Sequence, residues 1–175
     1  MRSFLSFHVK PPPGSAPEAS QEPLANLAAL VRPWLGGEGL GAYLVPDTPW
    51  VSLYLEALEA QEDPKAVLAF LLELSSLGEA LAFMVLNEED LLFARAEGGE
   101  LKALFAQGEE VEPQAFGLDE ALSLALKAPP VAAVMRAAGV LGLHPDHAAL
   151  GFLDLLETEE EGGLPEGVLY LEGEG

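Results

Sequence analysis

Cysteine is absent from this chain. That removes disulfides, thiolate nucleophiles and thiolate-ligated zinc from consideration. Asn occurs twice, Gln four times and Thr twice, so polar side chains for an active site are few. Scarcity of Asn, Gln, Cys and Met is a pattern of heat-adapted proteins and predicts a thermostable chain. The enrichment in Lys and Arg that usually goes with it is missing. No Ser stands in a Gly-x-Ser-x-Gly elbow, and there are three histidines in all. Nothing here calls for a cofactor, and the enzyme prior is low.

Positive charge is the largest shortage. Lys plus Arg number 8 against 29 Asp plus Glu, a formal net charge of −21. Binders of DNA or RNA need a basic face for phosphate contacts and counterion release. Eight cations spread along the chain cannot build one, so no nucleic-acid partner is expected. An anionic membrane surface is disfavoured for the same reason. The charge describes a well-solvated surface, and in a sharper reading one that attracts a basic partner.

Long apolar runs are lacking too. The longest, Val67 to Leu77, is interrupted by Glu73, Ser75 and Ser76 and is too short to cross a bilayer. The apolar part of Met1 to Lys10 is shorter than a signal-peptide core. The expectation is a cytoplasmic protein.

What is present is a core. Half of the 175 residues are hydrophobic, which suits one domain over 1–175. The chain reads as organised around Pro64 to Ala106. Asp63 caps a helix with Pro64 at its first position, and Gly78 closes it. Its apolar residues run nearly all round, so it should be buried on more than one side. Ala80–Leu86, Leu91–Ala96 and Leu101–Ala106 follow as strands, separated by the turns Asn87–Asp90 and Glu97–Glu100. Turns of that length predict an antiparallel meander.

Before this unit, Ser3 to Val9 alternates as a half-buried strand, with Leu5, Phe7 and Val9 on one face and Ser6 and His8 on the other. Lys10 to Pro17 is a proline-rich loop. Leu24, Leu27, Val31 and Trp34 mark a helix that Pro33 and Gly36-Gly37 stop. The run Gly36–Gly41 follows a helix and precedes a strand, the reverse of a dinucleotide fingerprint. Ala42–Val45 and Trp50–Leu55 are strands joined by Pro46-Asp47-Thr48-Pro49. Glu56–Glu62 is a short bridge.

After the meander, Gln107–Phe116 reads as an acidic loop and Asp119–Lys127 as an amphipathic helix. Ala128-Pro129-Pro130 marks a composition shift, beyond which 129–175 can form a C-terminal subdomain. Val131–Ala138 is a helix. Ala148–Thr158 fits either a helix or a strand, and Val168–Leu171 is a last strand.

Trp50-Val51-Ser52-Leu53-Tyr54, Leu74-Ser75, Glu88-Glu89-Asp90 and Leu141-Gly142 resemble the motifs of an uncharacterised bacterial family: a W-x-S-x-Y strand, a helix ending in Leu-Ser and an acidic turn between apolar strands. The order of elements is also similar to SUKH-type immunity domains, a resemblance that implies a binding protein rather than an enzyme.

Two constellations could carry function. Trp50 and Tyr54 share one mixed strand face and could stack on a ligand, although ordinary strand packing accounts for such a pair more often. With Glu88 and Asp90 of the acidic turn they form the candidate ligand or partner surface. His144, Asp146 and His147 could supply metal ligands, completed by Asp154 or His8. A helix start with Asp146 as cap accounts for the same three residues and is favoured, because the spacing matches no established metal motif.

The sequence therefore predicts an α+β fold: a largely antiparallel sheet, a buried helix over about 64–78 packed on it, and two or three further helices. The expected role is a non-catalytic protein-interaction or regulatory domain with a basic protein partner, and self-association is compatible with it. The alternative is a metal-binding protein or metal-dependent enzyme using His144 and His147.

Overall fold

The computed structural model describes residues 3–10, 21–35, 40–47, 50–108, 113–163 and 168–172. The proline run at 11–17, the glycines at 36–39, Thr48-Pro49 and the acidic residues at 109–112 lie outside them.

Among the described residues eight strands form one sheet: β1 (Phe4–Lys10), β2 (Gly41–Asp47), β3 (Trp50–Leu55), β4 (Glu79–Leu86), β5 (Asp90–Glu97), β6 (Glu100–Gln107), β7 (Gln114–Phe116) and β8 (Leu169–Glu172). Their order is β7-β6-β5-β4-β1-β3-β2-β8. Every neighbouring pair is antiparallel. The first strand thus lies inside the sheet, between β4 and β3.

The meander forms where turn chemistry dictates. Asn87 and Glu88 both take the left-handed conformation, and Glu89 N–H donates to Leu86 O at 3.0 Å, closing a tight turn between β4 and β5. The next hairpin turns on Gly98 and Gly99, at φ 61° and 82°, which side chains rarely allow. The Ser75 carbonyl and hydroxyl accept the N–H groups of these two glycines. The hairpin tip is thereby tied to the helix that precedes the meander.

Helices cover both faces of the sheet. On one lie α1 (Gln21–Val31) and α3 (Pro64–Leu74). They pack on Leu5, Phe7, Leu44, Leu53, Ala82 and Leu92. The Asp63 carboxylate accepts the Lys65 N–H at 3.0 Å, and Pro64 occupies the first turn, as the cap signals predict. Val67, Phe70, Leu71 and Leu74 are buried. The Phe70 ring meets Phe7 of the sheet on one side and Trp34 on the other, both edge-on, so α3 is covered from two directions.

The opposite face carries α4 (Glu120–Ala125), α5 (Pro130–Leu141), α6 (Pro145–Ala148) and α7 (Phe152–Glu160). The remaining helix, α2 (Glu56–Gln61), links β3 to α3. Among the described residues six helices accompany α3, rather than two or three. The additional ones include α2 and α6, six and four residues long, too short to leave a helical period in the sequence.

Other departures have local causes. Strand β1 is buried on both faces rather than half-buried, because α6 and its neighbours cover the side that bears Ser6 and His8. The stretch read as an acidic loop ends in β7, whose Phe116 pairs with Leu104. Helix α5 runs through Gly139 to Leu141 and ends at left-handed Gly142. The ambiguous segment is the helix α7. Residues 130–172 supply three helices to the second layer and β8 to the common sheet.

Candidate functional site

All three histidines of the chain meet around α6. Its first turn opens at His144, whose Nδ1 accepts the Asp146 N–H at 3.3 Å. The rings of His144 and His147 stack, with centroids 4.8 Å apart and planes inclined by 25°. Beneath the helix lies His8 of β1, fully buried. Its Nδ1 is 2.8 Å from Ser52 Oγ and its Nε2 is 3.0 Å from Ser6 Oγ.

The hydrogen bonds fix the tautomer of His8. Ser6 Oγ–H donates to the Ala148 carbonyl at 2.8 Å. A carbonyl only accepts, so Ser6 Oγ has no proton left for the ring and accepts from Nε2–H. Nδ1 is then bare and accepts from Ser52 Oγ–H. Burial, with a smaller contribution from His147, pushes the pKa of His8 down to about 3.

A serine hydroxyl on a bare imidazole nitrogen has the form of a nucleophile and its base. The setting does not suit the chemistry. Ser52 and His8 are both fully buried, and a base needs a pKa near the working pH. What the network does is hold α6: Ser6 bonds to Ala148 O, and the Tyr54 hydroxyl donates to His147 O.

The second cluster stands at the β8 edge of the sheet. Register places Tyr54, Tyr43 and Tyr170 side by side on β3, β2 and β8. These are the three tyrosines of the chain. Tyr54 and Tyr43 are buried, whereas Tyr170 is 40% exposed. The Tyr170 ring stacks obliquely on Tyr43 at 5.0 Å and lies across Gly41, where a side chain would collide with it.

Carboxylates surround this row. The Tyr43 hydroxyl donates to Glu159. Burial, then that bond and the charges of Glu159 and Glu160, push the Tyr43 hydroxyl far up. Burial also raises Tyr170, followed by Glu172, Glu56 and Glu159. Glu157, Glu159 and Glu160 occupy the last turns of α7, where the helix dipole is already negative. Among the described residues the Lys and Arg ion pairs are those of Arg95 and Lys102, with Glu79, Glu97 and Glu100. None of them neutralises this edge.

A third group, Glu59 of α2, is a carboxylate turned into the fold. Its Oε1 accepts the N–H of Phe152 at 2.9 Å and of Leu5 at 3.3 Å. Burial raises its pKa, and the backbone bonds oppose that shift. Gly151 leaves the room the carboxylate needs.

The four residues of the candidate partner surface do not share a surface. Trp50 and Tyr54 lie under the second helical layer, Trp50 in the cluster of Phe4 and Phe83 and Tyr54 beside Phe152. Ser52, between them on the same face, is buried as well and bonded to His8, so the face is the packed one. Glu88 is exposed at its turn, while Asp90 is buried against Gly108. The metal candidates His144, Asp146 and His147 are brought together, and the expected helix start is present. The cap, however, is His144 rather than Asp146. His8 lies below with both nitrogens engaged, and Asp154 accepts the Gly151 N–H at the start of α7. No group of three potential metal ligands occurs among the described residues. A depression lined by Pro64, Met84, Leu86 and Leu92 has room for about one water molecule.

Sequence reasoning missed Tyr43, Tyr170 and Glu59. The tyrosines could have been found only by knowing which strands pair. No protein-family model, curated protein or solved structure matches the chain.

Proposed function

We propose that this chain is a non-catalytic interaction domain that captures a basic protein segment at the β8 edge. The observation that carries the reading is the exposed ring of Tyr170, set among Glu56, Glu159 and Glu172 with no described cation paired to them. A Lys or Arg side chain laid over that ring gains cation–π attraction and relieves the mutual repulsion of the carboxylates. Strand β8 ends the sheet, so its outer backbone groups have no described strand beside them. An extended basic segment can add there, its main chain on the strand and its cations over the ring.

The test is fluorescence anisotropy of a labelled Lys/Arg-rich peptide, at low and at physiological salt. Duplex DNA serves as the negative control. Tyr170→Ala or Glu172→Gln should each weaken binding about two- to five-fold, the range of one exposed cation–π or ion-pair contact. Glu172→Gln changes a formal charge of −21 by a single unit. A partner held only by the diffuse field would hardly respond. Unchanged affinity in both variants overturns the reading.

A further inference from the structure

Helix α6 is four residues long and cannot hold itself on the protein by its own hydrogen bonds. Two side-chain bonds from the sheet fasten it, Ser6 to Ala148 O and Tyr54 to His147 O. Ser6 is in turn oriented by His8, which is oriented by Ser52. The chain of bonds therefore runs from β3 through the imidazole to the last turn of α6. Its link to Ser52 is made only while His8 is neutral with its proton on Nε2.

We propose that α6 is an acid-released latch: as pH falls below neutrality, α6 lifts from β1 and His8 takes up a proton in the opened form.

The geometry leaves little to compensate a positive charge in the closed form. From α6 the facing titratable group is His147. Along β1 the next residue on the same face is Lys10, whose ammonium lies over the Trp50 ring. Strand β3 presents Ser52, and β4 presents the Phe83 ring, 5.8 Å from the imidazole. All of these are neutral or cationic. Asp146 lies beyond, 4.0 Å from His144 Nδ1. A second proton on the ring also turns Nδ1 into a donor and deprives the Ser52 hydroxyl of its acceptor. The closed form therefore resists protonation down to about pH 3. A solvated histidine in the opened form takes up the proton near pH 6.5.

Each opening event then binds one proton, and the open population follows from linkage. Relative to a pH well above 6.5 it rises by the factor 1 + 10^(6.5 − pH), roughly 30-fold between pH 7.5 and pH 5. That factor does not depend on the closed-form value, provided the latter lies well below 5. Around it, the network of β4 and β5 contains no histidine and should not follow.

The experiment is native-state hydrogen exchange on the full chain near pH 7.5 and pH 5, corrected for intrinsic rates. The reporters are the amides of His147, Ala148 and Ala149, which bond to His144 and Pro145 carbonyls. Their protection should fall roughly 30-fold at the lower pH while that of Phe83 and Phe93 holds. In His8→Gln the pH dependence should vanish. Tyr54→Phe should lower α6 protection at both pH values and keep the 30-fold ratio. Should His8→Gln not fold, the wild-type comparison of α6 against β4 and β5 decides alone. Protection at α6 that is insensitive to pH, or that falls equally across the sheet, overturns the latch.

Discussion

Removing the Glu59 carboxylate should destabilise the fold more than any surface carboxylate could. Helix α7 starts at Gly151, which has no side chain to cap the free N–H groups of the first turn. Glu59 reaches across from α2 and supplies the acceptor for Phe152, while also bonding Leu5 at the start of β1. Hydrogen bonds to a charged acceptor contribute about 1.5–3 kcal/mol each. The 3.3 Å bond belongs at the weak end, and loss of the buried charge returns part of the cost of its desolvation. Glu59→Ala should therefore cost about 2–4 kcal/mol. Glu59→Gln keeps one acceptor oxygen and should cost about 1 kcal/mol.

The pH dependence has a definite sign. Burial raises the folded-state pKa of Glu59 above its unfolded value. Between the two values the unfolded chain has released this proton and the folded one has not. The group's contribution is therefore fully present below the unfolded value and declines as pH rises through the folded one. Wild type should gain on Glu59→Gln as the pH is lowered through that window. Urea denaturation followed by tryptophan fluorescence at a series of pH values measures both effects. An Ala variant within about 0.5 kcal/mol of wild type, or a gap that widens with rising pH, would refute the assignment.

Two further outcomes are expected. Leu74→Ala opens a cavity where α3 meets the sheet, at a fully buried position, and should cost about 2–5 kcal/mol by chemical denaturation; a loss below about 0.5 kcal/mol would mean that α3 is not buried as described. Replacing His144 and His147 together by Ala should leave metal content and the zinc response of the melting temperature unchanged, because their rings lie face to face instead of converging on one point. Elemental analysis and thermal melts with added zinc check this, and a zinc-dependent rise in wild type that the variant loses would reverse it.

Legibility followed the range of the forces. Capping by Asp63, the turns at Asn87 and at Gly98-Gly99, and the period of β1 are local, and the sequence displays them. The α+β class follows from them. What lay beyond reach was decided across the chain. Trp50 and Tyr54 could equally stack on a ligand or pack inside until α6 and α7 cover them from a hundred residues away. His8 read as an outward residue of a half-buried strand because alternation cannot distinguish a polar residue facing water from one facing Ser52. The Tyr54–Tyr43–Tyr170 row exists only through strand pairing, and Tyr170 is separated from Tyr43 by most of the chain.

The place of β1 inside the sheet also orders the events of synthesis. Emerging before the rest of the sheet, it meets neither neighbour until the ribosome has delivered β3 and then β4, some seventy residues later. The hairpins β2–β3 and β4–β5–β6 close over short loops and can form on their own schedule. They end as two half-sheets, each with an open edge, and β1 is the strip that joins them. Until then the nascent chain exposes the edges of β3 and β4, among its most apolar strands. Its window for aggregation is therefore set by how quickly Phe4–Lys10 pairs with both.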